Sequence, residues 1–165
     1  METSKISNCE FLTHHQISEF VKKSFTEIKD KKDINDLIHF HSINKFLLMA
    51  HHPNYVKILG NIIANHEKIS ESLVFDKYEE QLNLALRINP SQKSHVNVLQ
   101  KILGYFKKDL SSEEKSKILV ILTDYRTGKV TLNDVLLLLE DLTRKFQKTY
   151  LIRQTYFLLY AKVTK

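Results

Sequence analysis

The chain has 165 residues, enough for one well-buried core and too few for two comfortable domains. Its 42% hydrophobic and 27% charged residues are those of a folded globular protein, and no apolar run reaches the ~20 residues of a membrane span. The net charge of +6 admits nucleic acid as a partner without requiring it, and the lone cysteine, Cys9, excludes an internal disulfide and a thiolate set for zinc or an iron–sulfur cluster.

Few glycines and prolines, with abundant Leu, Ile, Lys and Glu, favour helix over sheet. Residues 1–12 read as a loose segment and 13–165 as a single helical domain. A first helix is predicted from Gln16 to Ile28, broken by the Lys29-Asp30-Lys31-Lys32 run. Asp33 caps a second that reaches Ala50. Pro53 suits the first turn of a third, ending at Ala64, and a fourth covers about Ser72 to Leu86. Asn89-Pro90-Ser91 is a stop and restart before a fifth, Lys93 to Lys108. Ser111 with Glu114 is a capping-box pattern for a sixth that ends near Tyr125. After the turn at Arg126-Thr127-Gly128-Lys129 comes a seventh. It is leucine-rich nearly all round and so is expected at the centre of the molecule. Tyr150 to Lys162 forms a last helix or tail. The fold class is all-α, a compact bundle of about seven or eight helices, with no repeat and no low-complexity tract.

The fifth helix divides into two faces at about 100° per residue. Val98, Leu99, Ile102, Leu103 and Phe106 form an apolar stripe. Lys93, Asn97, Gln100, Lys101, Lys107 and Lys108 lie opposite, with Gly104 among them and Tyr105 beside it. Glycine costs roughly 1 kcal/mol against alanine in a helix interior, so its place there wants a reason. One reason is a helix–helix contact flanked by solvated lysines. The other is an anionic partner, such as a nucleic-acid backbone, that comes close to the main chain. Of the 25 basic residues only Arg87, Arg126, Arg144 and Arg153 are arginine, so point charge outweighs the planar fork used to read bases.

A second stripe joins His41, Lys45 and His52 on the predicted second helix, opposite Phe40, Ile43, Leu47 and Ala50. Histidine there can meet phosphate, stack on a base or move protons, or simply line the wet side of an amphipathic helix. His41 and His52 stand three turns apart, roughly 16 Å, and cannot share an ion. No H-E-x-x-H spacing occurs, and His95 falls on the apolar stripe as a core histidine. No metal and no cofactor are expected. The three isolated glycines make no phosphate loop, there is no G-x-S-x-G turn, and Cys9 sits in a poor setting for an activated thiolate. No catalytic residue stands out; His41 is the least unlikely candidate.

Three groups of residues resemble a known family. Phe40-His41, Lys45, Leu47-Leu48-Met49-Ala50-His51, Tyr55, Leu59-Gly60 and Ala64 look like the first signature of the YbgA-like domain family, a domain of unknown function. His95, Asn97, Leu99, Gln100 and Gly104-Tyr105-Phe106 are similar to its second. Tyr125-Arg126, Gly128, Leu132, Tyr150-Leu151, Gln154, Tyr156 and Tyr160 are similar to its third. The resemblance implies a helical domain found alone or fused to an iron–sulfur desulfidase acting on thiouridine in transfer RNA, where it helps hold the RNA. Asn44, Lys101 and Asp141 depart from the family pattern at expected histidines, and Thr131 and Leu159 at expected prolines.

These readings make an RNA-binding module the first expectation, for structured RNA such as tRNA, cytoplasmic and not membrane-bound. Lys93, Asn97, Gln100, Lys101, Gly104, Lys107 and Lys108 would meet the backbone; His41, Lys45, Tyr105, Tyr125 and Arg126 would add stacking or charge. The alternative is a protein-interaction partner of a separate desulfidase or repair enzyme, docking through exposed aromatics between Tyr150 and Tyr160. A third reading is an enzyme acting on a modified nucleoside.

Overall fold

The computed structural model describes residues 12–161; Cys9 and all but the last residue of the expected loose segment lie outside them. Helix α1, His14–Lys31, starts two residues earlier than its apolar pattern. Thr13 caps it in a reciprocal box with Gln16, and it runs through the lysine-rich segment to close at Lys32 in a left-handed conformation. Asp33 caps α2, Ile34–His51, and Pro53 opens α3, Pro53–Ala64, both as predicted. Then follow α4 (Glu71–Leu86), α5 (Gln92–Gly104), α6 (Ser112–Arg126) and α7 (Leu132–Lys145). Within the described residues the predicted last element splits into α8, Thr149–Ile152, and α9, Thr155–Tyr160, while its expected end at Lys162 lies outside them. Among the described residues there is no strand, and the fold is all-α.

Helix α5 stops four residues short of its predicted end. Beyond Gly104 the chain turns so that Phe106 and Leu110 enter the core, with Phe106 against Phe146 at 6.1 Å between ring centres. The central helix also differs from expectation. In α7 only Val135, Leu136, Leu139, Leu142 and Thr143 are buried, while Asp134, Asp141, Arg144 and Lys145 face out. Its leucines form one stripe, not a surround. The centre is α2, which packs against α1, α3, α4, α5 and α9. It buries Leu37, Phe40, Phe46, Leu47, Leu48 and Ala50, at roughly 1.5–3 kcal/mol per large apolar side chain.

Aromatic contacts join α2 to α1 and α4. Phe25 stacks on Tyr78 at 5.7 Å and 10°, and Phe40 stands edge-on to both. Polar bonds join it to the C-terminal segment. Gln154, fully buried, donates through Nε2 to the Ser42 carbonyl at 2.8 Å. The Thr155 hydroxyl donates to Asn44 Oδ1 at 2.6 Å, and Asn44 Nδ2 donates to the Phe40 carbonyl at 2.9 Å. A buried polar group left without its partner costs about 1–3 kcal/mol. Asn44→Ala is therefore expected to destabilise the fold by about that much, read as a lower midpoint in chemical denaturation, with Thr155→Val partly restoring it.

Candidate functional site

Ser91 opens α5 with a capping box to Ser94, which fixes the roll of the helix. His95, Val98, Leu99 and Ile102 then face the core, and Lys93, Asn97, Gln100 and Lys101 face out. Gly104, Tyr105, Lys107 and Lys108 are also exposed. From Gln81 to Lys108 the chain carries no carboxylate. Lys93, Lys101, Lys107 and Lys108 take part in none of the ion pairs among the described residues, whereas Lys29, Lys145, Lys148 and Arg144 each hold a carboxylate. Asn97, Gln100 and Lys101 line a surface depression of about 600 Å³ with Met49 and Pro53 as the facing wall.

Of the two reasons for glycine at position 104, the structure removes the helix contact. A Cβ built there meets no atom within 4 Å. With space open and no positive φ, Gly104→Ala is expected to stabilise the protein by up to about 1 kcal/mol, measured as a rise in Tm.

The second stripe does not survive as a surface. His41 is half-buried between α4 and α3: its Nδ1 lies 3.0 Å from the Tyr78 hydroxyl, and its Nε2 lies 3.6 Å from where a Cβ on Gly60 would be. That is ordinary van der Waals contact, so the ring packs directly against the Gly60 backbone without requiring glycine there. Burial, and next the charge of half-buried Lys45, push the His41 pKa down. His52 caps α3, accepting from the Asn54 amide on Nδ1 at 3.2 Å. Tyr125 is buried at the end of α6, its carbonyl accepting from Gln92 Nε2 at 3.0 Å, so its ring is not presented to a partner, while the adjacent Arg126 is exposed. In the C-terminal segment Tyr156 and Phe157 are buried too, which leaves Tyr150, Ile152 and Leu158 as its exposed apolar residues. The aromatic docking surface expected there is correspondingly small.

The structure also assembles an interior cluster that spacing alone did not reveal. His95 Nδ1 lies 2.7 Å from the Tyr156 hydroxyl, and its ring packs edge-on to Tyr160 at 5.1 Å. His51, 3% exposed, donates from Nδ1 to the Ile88 carbonyl at 2.6 Å, which pins the α4–α5 connection. That bond places the ring proton on Nδ1 and the lone pair on Nε2, and neither that nitrogen nor the Tyr160 hydroxyl has a partner among the described residues. No group of three His, Cys, Asp or Glu among the described residues is arranged to hold a metal ion.

Burial, reinforced by the nearby His14 and His51, pushes the His95 pKa down to about 4 from its usual 6.5. The unfolded chain therefore takes up the proton first on acidification. Stability owed to neutral His95 is complete above pH 6.5, falls as pH drops toward 4, and levels off below, a loss of roughly 3 kcal/mol at most. His41 and His51 are shifted in the same direction. Denaturation midpoints measured across that window are expected to fall with pH, and His95→Gln to flatten the slope.

An all-α fold with one helix presenting unpaired lysines and amides, set over a buried histidine–tyrosine cluster, is the type of protein defined by these observations. The chain belongs to the family described as "Protein of unknown function (DUF1722)", whose model matches residues 45–161. It is similar to the uncharacterized protein YbgA of Escherichia coli (strain K12), 27% identical over 129 residues that make up 77% of this chain and 76% of that relative. No solved structure matches the chain. The matched span contains Lys45, the α5 face and the interior cluster, and leaves His41 outside.

Proposed function

We propose that the protein is an RNA-binding helical module for structured RNA such as tRNA, working with or alongside an iron–sulfur thiouridine desulfidase. The observation that carries this reading is the outer face of α5. Exposed Lys93 and Lys101 on that face, and Lys107 and Lys108 in the turn that follows it, meet no carboxylate among the described residues and lie near Asn97 and Gln100, which donate and accept hydrogen bonds. Exposed Lys23, Lys31, Lys32, Lys57, Lys68 and Lys115 are likewise outside the ion pairs among the described residues. The α5 region differs in that its lysines lie in a stretch, Gln81 to Lys108, with no carboxylate in sequence, which leaves their charge available to phosphate. Lysine as a point charge suits backbone contact more than base reading, so affinity is to be dominated by counterion release. Desulfidation itself would belong to the partner, since Cys9 is the only cysteine in the chain.

Gel shift with total tRNA across a salt series tests the reading. Binding is expected to weaken steeply with salt and to outlast competition by random duplex DNA. Lys101→Glu with Lys108→Glu is expected to lower affinity at every salt concentration and flatten the log–log slope by about two, one per lysine. Unchanged affinity in the double variant overturns this placement of the interface. Gly104→Ala, stabilising by itself, is expected to weaken RNA binding if a strand lies against the α5 backbone.

A protein-docking reading is favoured by one feature, the adjacent Leu119 and Val120 on α6, 62% and 60% exposed. Co-migration with a separately expressed desulfidase, lost on Leu119→Glu, would place that contact.

A further inference from the structure

The α5 face ends at a pair of exposed aromatic rings from different parts of the chain. Tyr105 follows α5 directly and is 41% exposed; Tyr150 lies in α8 and is 37% exposed. Their rings stack at 5.9 Å and 27°. Beneath them Phe46 of α2, almost fully buried, stands edge-on to both, at 6.0 Å and 83° from Tyr105 and at 6.4 Å and 67° from Tyr150. The Tyr150 hydroxyl donates to the Ser42 carbonyl at 3.4 Å. Both rings are thus held in place from below and behind while a large part of each stays open. Lys101 precedes Tyr105 by one helical turn, and Lys107 and Lys108 follow it within three residues.

We propose that Tyr105 and Tyr150 form a stacking platform for an unpaired base, so that the α5 face takes single-stranded nucleic acid in preference to duplex. The inference rests on the RNA reading above and sharpens it to the unpaired segments of a structured RNA. In a duplex the base faces are already stacked, and A-form RNA is contacted through phosphates and 2′-hydroxyls, for which an exposed ring pair is of little use. A strand of unpaired nucleotides offers a charged backbone and free base faces together, and is held where lysines and aromatic rings alternate. Rings already fixed on Phe46 lose little conformational freedom when a base arrives, which favours binding.

The test compares a 12-nucleotide single-stranded RNA carrying 2-aminopurine with a 12-base-pair RNA duplex, using the full chain. The single strand is expected to bind more tightly and its 2-aminopurine fluorescence to be quenched on binding. Tyr105→Leu, which still covers Phe46, is expected to cost about tenfold in single-strand affinity with the salt slope unchanged, whereas Tyr105→Phe retains affinity. Tyr150→Leu serves as the second variant, and a cooperative thermal transition in each shows that the fold persists. Equal affinity for the two RNAs, or Tyr105→Leu and Tyr150→Leu both binding like the parent, overturns the platform and leaves the RNA reading standing. Failure of the parent protein to bind either RNA at low salt overturns both.

Discussion

Helix α2 is enclosed by five other helices, and that enclosure governs the rest of the molecule. Every helix laid on it must commit one stripe to the apolar contact, which leaves the opposite stripe to water. Enclosure also sets conditions on α2's own polar groups. Asn44 and His51 lie inside, 2% and 3% exposed, where an unmatched polar group is costly. Asn44 finds the Phe40 carbonyl and the Thr155 hydroxyl; His51 finds the Ile88 carbonyl. These directional bonds select one position for α9 and one path for the α4–α5 connection, which apolar burial alone would leave loosely specified.

The distribution of charge follows the same division. Lys145 with Glu114 joins α7 to the start of α6, and Lys148 with Asp109 at 2.7 Å joins the start of α8 to the turn after α5. Such exposed pairs contribute little to stability, about 0–1 kcal/mol each, yet they occupy lysines that would otherwise be free. The α5 face is spared because no carboxylate lies on or near it in sequence between Glu80 and Asp109. Below that face the histidines are held neutral by burial, so the interior adds no positive charge at neutral pH while the surface carries it.

The five positions expected to depart from the family pattern have identifiable places, Leu159 of α9 being half-buried against the core. Asn44, at an expected histidine, is bonded on both ends of its amide. Thr131, at an expected proline, caps α7 in a reciprocal box with Asp134. Lys101, at another expected histidine, is exposed on the α5 face and adds to its charge, and Asp141 faces out from α7. None of the five leaves a defect in the core.

Much of this architecture is determined by the sequence alone, because the signals involved are local. Asp33, Pro53 and the Ser111–Glu114 pair act through bonds to neighbouring amides, and the helices they start lie where the sequence places them. The inward and outward faces of α5 follow from its 3.6-residue period, so the exposed lysines and buried His95 were legible too. Periodicity could not say which helix would be central. A leucine-rich run and an enclosed helix look alike until neighbours are placed, and α2 held that position where α7 was expected. Nor could it tell a wet face from one covered by another helix, which is why His41 and Tyr125 read as surface residues although His41 is half-buried against α4 and Tyr125 is buried. The meetings of His51 with Ile88, His95 with Tyr156 and Tyr105 with Tyr150 join residues 37, 61 and 45 positions apart. Contacts at that separation are decided only when the helices close around α2 and bury their apolar stripes together.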